Sequence, residues 1–281
     1  MKKTGFRRRF RNSKSAMFGL CFLCVEALAV YLLPVLLRLD PVTSDVRAGF
    51  YAVPSAAHML GTDGAARDLL ARTLCGGQVS LFVGVAAPFI SVSIGLPLGL
   101  AAGYYRGIVE TLVMRAADVC MSFPSILLSL MMISVIGPSL ATLIGVIGVM
   151  GWTEIAKLVY SSVLSIREKD YIDSALSIGR TDLDILRREI LPGVLSPVFV
   201  SLSFQSGNAI LQESALSFLG SGLRPPRASW GGIIYAAQDL SILTRKPWVW
   251  VPSGILIVLT VIAFHFVGEG MRDALDPRMK L

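Results

Sequence analysis

The chain has 281 residues, of which 54% are hydrophobic and only 16% charged, with a mean hydropathy of +0.67. That balance is too apolar and too poor in charge for an ordinary water-soluble domain. The net charge of +7 does not point to nucleic acid: Lys2, Lys3, Arg7, Arg8, Arg9, Arg11 and Lys14 form one acid-free tail beside an apolar run, with no zinc-knuckle or aromatic stacking motif.

A bilayer core about 30 Å thick needs roughly 20 apolar residues per helix, so each long uncharged run is a candidate span. Residues 1–15 form the basic tail, and residues 16–37 the first candidate. Its Ala27-Leu28-Ala29 triplet and the preceding Arg7-Arg8-Arg9-Phe10 resemble signal-peptide features, but its length and the embedded Glu26 favour an anchor helix. Cys21 and Cys24 lie inside this run as small apolar residues, and Cys75 and Cys120 have no spacing that implies a disulfide or a metal site.

Residues 38–79, with Pro41, Pro54 and the stretch Gly61-Thr62-Asp63-Gly64, read as an external loop too short for a core of its own. Residues 80–270 then hold five further runs, at 81–104, 119–136, 140–163, 194–219 and 248–268, interrupted by Pro88, Pro97, Pro124 and Pro197. Neighbouring membrane helices can satisfy the backbone groups that such prolines free. Residues 271–281 form a short tail. The expectation is an all-α polytopic membrane protein of about six helices. With both termini in the cytoplasm, 18 of the 26 Lys and Arg fall inside and 8 outside, as the positive-inside rule requires.

The most ordered polar segment lies at 164–193, between two spans. Tyr171, Ala175 and Ile178 are expected on one face of a short helix, Gly179 supplies a break, and Thr181 with Asp184 makes an imperfect capping box for a second helix. Asp182 and Asp184 in its first turn and Arg187 and Arg188 in its last suit the helix dipole, and Pro192 is expected to end the element. Small residues at Ser174, Ala175 and Gly179 would let a partner surface come close.

This segment resembles the EAA loop of ABC importer permeases, whose pattern is Glu-Ala-Ala, three residues, Gly, and a later Ile-Leu-Pro. Asp173, Ser174, Ala175 and Gly179 take the motif positions, and Ile190-Leu191-Pro192 follows at the family spacing. Two further stretches resemble the peptide and nickel branch, in the shorter of its two subunit types. The first is Leu60-Gly61-Thr62-Asp63 with Arg67-Asp68, Arg72, Gly76 and Ser80-Leu81, departing at Ala66, Ala71 and Gln78, where Gly, Ser and Arg are usual. The second is Glu213-Ser214-Ala215-Leu216-Ser217-Phe218-Leu219-Gly220, continued by Pro225-Pro226, Ser229-Trp230-Gly231 and Arg272-Asp273-Ala274-Leu275-Asp276-Pro277-Arg278.

The resemblance implies the type I importer permease fold in a bacterial inner membrane, with the EAA loop seated on a cytoplasmic ATPase. It implies a second homologous permease, two ATPase subunits and an external solute-binding protein as partners. ATP and Mg would bind the ATPases and not this chain. Consistent with that, no Gly-x-x-x-x-Gly-Lys-Ser/Thr loop is present. The cargo implied is a peptide or related small solute, with nickel or a nickel chelate also within the branch, although the stretch around Gln212 offers no metal-ligand cluster.

Ionisable residues in spans are functional candidates by default, here Glu26, Glu154, Lys157, Glu213, His265 and Glu269. Glu154 and Lys157 are expected to pair, His265 to pack between helices, and Glu213, with Asp63, Arg67 and Asp68, to serve structure. The fifth run is unusually polar: Ser203, Gln205, Asn208 and Gln212 either line a pathway or join a subunit interface. A membrane-embedded enzyme finds no Gly-x-Ser-x-Gly or His-Glu-x-x-His motif. A secondary transporter or channel would have no use for the ordered loop at 164–193.

Overall fold

The computed structural model describes residues 6–275, so Lys2, Lys3 and Asp276-Pro277-Arg278 lie outside the described residues. The described chain is helical. Helix α1 (Phe6–Asn12) is followed by α2 (Lys14–Leu36), α3 (Leu69–Tyr105), α4 (Gly107–Met121), α5 (Ser125–Ile136), α6 (Leu140–Met150) and α7 (Trp152–Arg167). Then come α8 (Asp170–Ser177), α9 (Asp182–Ile185), α10 (Leu191–Leu216), α11 (Trp230–Ile234), α12 (Leu240–Arg245) and α13 (Val251–Leu275). Five helical stretches are long and apolar enough to cross a membrane, or six if α4 and α5 are counted together.

The centre of the bundle is α3. At 37 residues it is about 55 Å long, well beyond the hydrocarbon thickness, so it reaches both polar ends of the molecule. It starts at Leu69 because the Asp68 carboxylate accepts the Ala71 amide at 2.7 Å as an N-cap. The boundary expected near residue 80 is therefore displaced: residues 69–79 belong to the helix, their apolar character interrupted by Arg72, Thr73 and Gln78. At the other chain end, α13 continues past the expected limit at 270 to Leu275.

Helix α3 lies against α7 at very close range. Gly95, Gly99 and Gly103, spaced every four residues, face Ile155, Val159 and Val163, which share that spacing. A Cβ on Gly99 would stand 2.6 Å from the Ala156 carbonyl oxygen and 2.7 Å from the Val159 Cβ. Lipid supplies no hydrophobic force to drive helices together, so such small-residue stripes gain their stability from dispersion contacts at short separation. Ile155, Val159 and Val163 are buried in one cluster with Tyr104, Ile166, Ile185, Ile190, Val194 and Val198.

The run expected as a straight span at 119–136 is broken. Helices α4 and α5 meet at 86° across Ser122-Phe123-Pro124, because Pro124 disfavours helical backbone at Phe123. Helix α5, 12 residues and about 18 Å long, cannot cross a bilayer alone. The segment at 105–118, left between the runs at 81–104 and 119–136, is the body of α4, tied to α7 by Lys157 to Asp118 at 2.8 Å and by the Tyr160 hydroxyl to Glu110. Lys157 therefore does not pair with Glu154. Pro192 does not end its helix either: a π-helical turn at Leu186–Ile190 precedes it and the helix runs on into α10. The wider turn accommodates the ring and its missing N–H.

Helix α2 packs against α13, where the Thr260 hydroxyl donates to the buried Glu26 at 2.7 Å. Gln78, where the family pattern has Arg, donates to the Val30 carbonyl at 2.7 Å and so joins α3 to α2. His265 sits edge-on to Phe204, with ring centres 5.1 Å apart.

Residues 38–68 and 225–250 form a cap on one end, sharing a core of Leu69, Ile233, Ile242 and Val249 with Tyr51, Leu60 and Trp248. The motif carboxylates tie it together. One Asp63 oxygen accepts from Arg67 at 2.8 Å and Arg72 at 3.0 Å, and the other accepts the Ala65 and Arg67 amides. Arg72 also donates to the carbonyls of Pro41 and Pro226, at 3.2 and 3.3 Å. Ala66, where the family has Gly, sits buried at φ +55°. Below the cap, the fully buried Glu213 accepts from Ser80 at 3.1 Å and Ser217 at 2.8 Å. Trp230, also fully buried, donates to the Thr73 carbonyl at 2.9 Å.

The close approach of α3 and α7 leads to a first prediction. Gly99→Leu should separate the helices and destabilise the protein by about 1–3 kcal/mol, with Gly99→Ala affected less, as measured by thermal unfolding in detergent. A Leu variant melting with the unmodified protein would refute this packing.

His58 generates a second. Its Nδ1 lies 2.8 Å from Asp68 and its Nε2 3.5 Å from Asp45. The hydrogen bond to Asp68 raises its pKa, desolvation opposes this, and Asp45 adds to the rise. Because the folded value exceeds the unfolded one, the stabilisation is complete below about pH 6.5 and disappears as pH rises through the folded value. Limited proteolysis of the 40–60 segment should accelerate across that window. His58→Ala should cleave quickly throughout; an unchanged pH profile in that variant would rule the pairing out as the cause.

Candidate functional site

Two features remain after the structural polar groups are accounted for: an ordered surface segment at one end of the bundle, and a polar cavity within it.

The surface segment follows α7. In α8, Ile172 and Ala175 are buried and join the core cluster of α3, α7 and α10, whereas Tyr171 and, just after the helix, Ile178 are exposed. The face expected to hold Tyr171, Ala175 and Ile178 together is thus split, because the helix stops at Ser177 and leaves Ile178 in the turn. Gly179 terminates it at φ +78°, with the Arg180 amide donating to the Ala175 carbonyl at 3.2 Å. That is the 6→1 bond of a Schellman cap. A Cβ at Gly179 would meet nothing within 4 Å. The glycine is therefore required by backbone conformation and not by crowding.

The Thr181 hydroxyl then caps α9 by accepting the Asp184 amide at 3.4 Å. Asp173 and Ser174 are exposed on α8, and Ile190 is fully buried beneath the segment, with Leu191 and Pro192 opening α10. The Tyr104 hydroxyl donates to Asp182 at 2.8 Å, and the Arg167 guanidinium lies 5.8 Å from the Tyr104 ring centre. These contacts attach the segment to the end of α3 that lies opposite the cap. Tyr171, Ile178 and Leu183 nevertheless point outward.

The cavity, about 410 Å³, lies between α3, α6, α7 and α10 and the bend joining α4 to α5. Gln205, Asn208 and Gln212, at helical spacing on α10, all line it. Ser203 does not: its hydroxyl reaches Met271 Sδ at 3.5 Å, on α13. It lies two residues before Gln205 and so occupies a different face of the helix. Glu213 is likewise turned away, into its hydroxyl cluster.

The opposite wall is Gly151, Trp152, Thr153 and Glu154, with Ser91 and Ser125 nearby. The Gln205 amide nitrogen donates to the Gly151 carbonyl at 3.2 Å and to Glu154 at 3.4 Å. Its oxygen, buried, has no hydrogen-bond partner among the described residues. Sequence reasoning assigned Glu154 to a local ion pair. The available signal was the polar break Gly151-Trp152-Thr153-Glu154 between two apolar helices. No cluster that could hold a metal ion occurs among the described residues.

Comparison with known proteins agrees with this architecture. Residues 95–281 match the family described as binding-protein-dependent transport system inner membrane component, and residues 4–54 match the N-terminal transmembrane domain of oligopeptide transport permease C. A Brucella abortus protein with the provisional name of peptide transport system permease protein is 39% identical over 98% of this chain and 91% of its own length. The glutathione transport system permease protein GsiD of Pectobacterium atrosepticum is 38% identical over 81% of this chain and 75% of its own. A chain of the MetNI methionine ABC transporter, solved in inward-facing conformations, shares the fold with a TM-score of 0.61 at 21% identity, over 74% of this chain and 97% of that one. The chain therefore belongs to the family of binding-protein-dependent inner membrane components and is a permease subunit of an ABC importer.

Proposed function

We propose that this permease forms half of a peptide translocation pathway and that the segment from Asp170 to Asp184 docks a separate cytoplasmic ATPase. The observation that carries the docking reading is the divided character of α8. Ile172 and Ala175 lock it into the same core as α3, α7 and α10, while Tyr171, Ile178 and Leu183 present an apolar surface outside the spans. A force applied to that surface would pass directly into the spanning helices. Asp173, Ser174 and Gly179 lie on its docking side, Ala175 holds it to the core from beneath, and Ile190, Leu191 and Pro192 join it to α10.

In this reading the segment, α1 and the end of α13 lie in the cytoplasm and the cap lies outside, which agrees with the distribution of Lys and Arg. ATP and Mg belong to the ATPases, of which two would serve a pair of permeases. The exposed side of the polar cavity suits closure by a second, homologous permease, and the cap suits delivery by an external binding protein. Peptide cargo is supported by the names of the relatives.

Replacement of Gly179 by Leu tests the docking. The left-handed turn should cost about 1–2 kcal/mol, too little to unfold a bundle, and the side chain would project from the docking surface. In the complete importer reconstituted in liposomes, peptide uptake should fall at least tenfold while the permease assembles in normal amount. ATP hydrolysis should no longer respond to substrate-loaded binding protein. Unchanged uptake would overturn the docking assignment.

A further inference from the structure

The cavity has a charge character that neither the fold nor the family description assigns. Among the described residues that line it, Glu154 is the one carboxylate. No Lys, Arg or His lines it. Its nearest basic neighbour in sequence, Lys157, is engaged by Asp118 at 2.8 Å.

The hydrogen bonding has the same polarity. The Gln205 side chain is 7% exposed, and its amide orientation is set by its two acceptors, the Gly151 carbonyl and the Glu154 carboxylate. That leaves the Gln205 carbonyl oxygen without a partner, although it is buried at the cavity wall. A buried oxygen that lacks a donor is costly, and a donor arriving with a positive charge would recover the most. Ser91, which could have donated, is already committed to the Gly148 carbonyl at 2.8 Å. Trp152 adds an aromatic surface, the kind that attracts cations.

We propose that Glu154 and the free oxygen of Gln205 form a selective station for an ammonium group, such as the amino terminus of a peptide, as it moves through the cavity. This rests on the reading of the cavity as the pathway. The station is the point on the cavity wall where the one lining carboxylate and an unpartnered amide oxygen lie on neighbouring side chains. It favours cationic and disfavours anionic groups irrespective of the side chains that follow.

Cys120 lines the same cavity and provides a native probe. In a Cys21→Ala, Cys24→Ala, Cys75→Ala background within the assembled importer, Cys120 would be modified in parallel by a cationic and an anionic methanethiosulfonate. The ratio of the two rates, normalised to a small free thiol, cancels the reactivity of the cysteine itself. We expect the cationic reagent to be favoured about tenfold at low salt. The preference should collapse towards unity in Glu154→Gln and persist in Glu154→Asp. It should also shrink in the unmodified residue-154 background when salt is raised to 1 M, which requires no change to the fold.

Labelling without charge preference, or a preference indifferent to both salt and Glu154→Gln, would overturn the ammonium station while leaving the pathway standing. Failure of either reagent to reach Cys120 would overturn both.

Discussion

The structure depends on the close approach of α3 and α7. Gly95, Gly99 and Gly103 remove the side-chain layer that would keep the helices apart, and Ile155, Val159 and Val163 fill the space. In a lipid-facing bundle, where burial of apolar surface brings little advantage, this contact supplies stability through dispersion and shape. It also fixes the direction of the longest helix. Everything that gathers at the two ends of α3, the cap around Arg72 and the surface segment around Tyr104, takes its position from that pairing.

Around this axis the buried polar groups divide into two kinds. Glu213 and Arg72 draw partners from segments far apart in the chain, Asp63 holds Arg72 from nine residues away, and their hydrogen bonds join the cap to the bundle. Buried polar groups of this sort specify a unique arrangement because each wrong alternative leaves a group unpaired. Gln205 differs: it is buried at the cavity wall, donates to the exposed Glu154, and keeps an oxygen without a hydrogen-bond partner among the described residues. A membrane protein can tolerate such groups where a cavity is lined, and that is where transport would take place.

The helical class, five of the expected spans and the ordered polar segment were legible from composition and local pattern. So were the turn at Gly179 and the cap at Thr181, since both depend on residues within one turn of each other. Local pattern failed where an irregular turn or a distant contact decided the outcome. Pro192 read as a stop because the π-helical turn that absorbs it leaves no simple sequence mark. Lys157 was matched to Glu154 by spacing, yet Asp118 on another helix holds it. Ser203 and Gln205 looked equivalent as polar residues of one span, and only the neighbours of α10 separate them.

By itself, then, the sequence determined that the chain inhabits a membrane, where its apolar runs lie, and that one polar segment is built to be rigid. These follow from hydropathy, from positive φ at glycine and from capping, all of which act over a few residues. Tertiary packing decided that α8 shares a core with three spanning helices, that Lys157 pairs with Asp118, and that Glu154 meets Gln205 at the cavity wall. Those outcomes depend on which helix faces meet, and that is set by packing between residues dozens of positions apart.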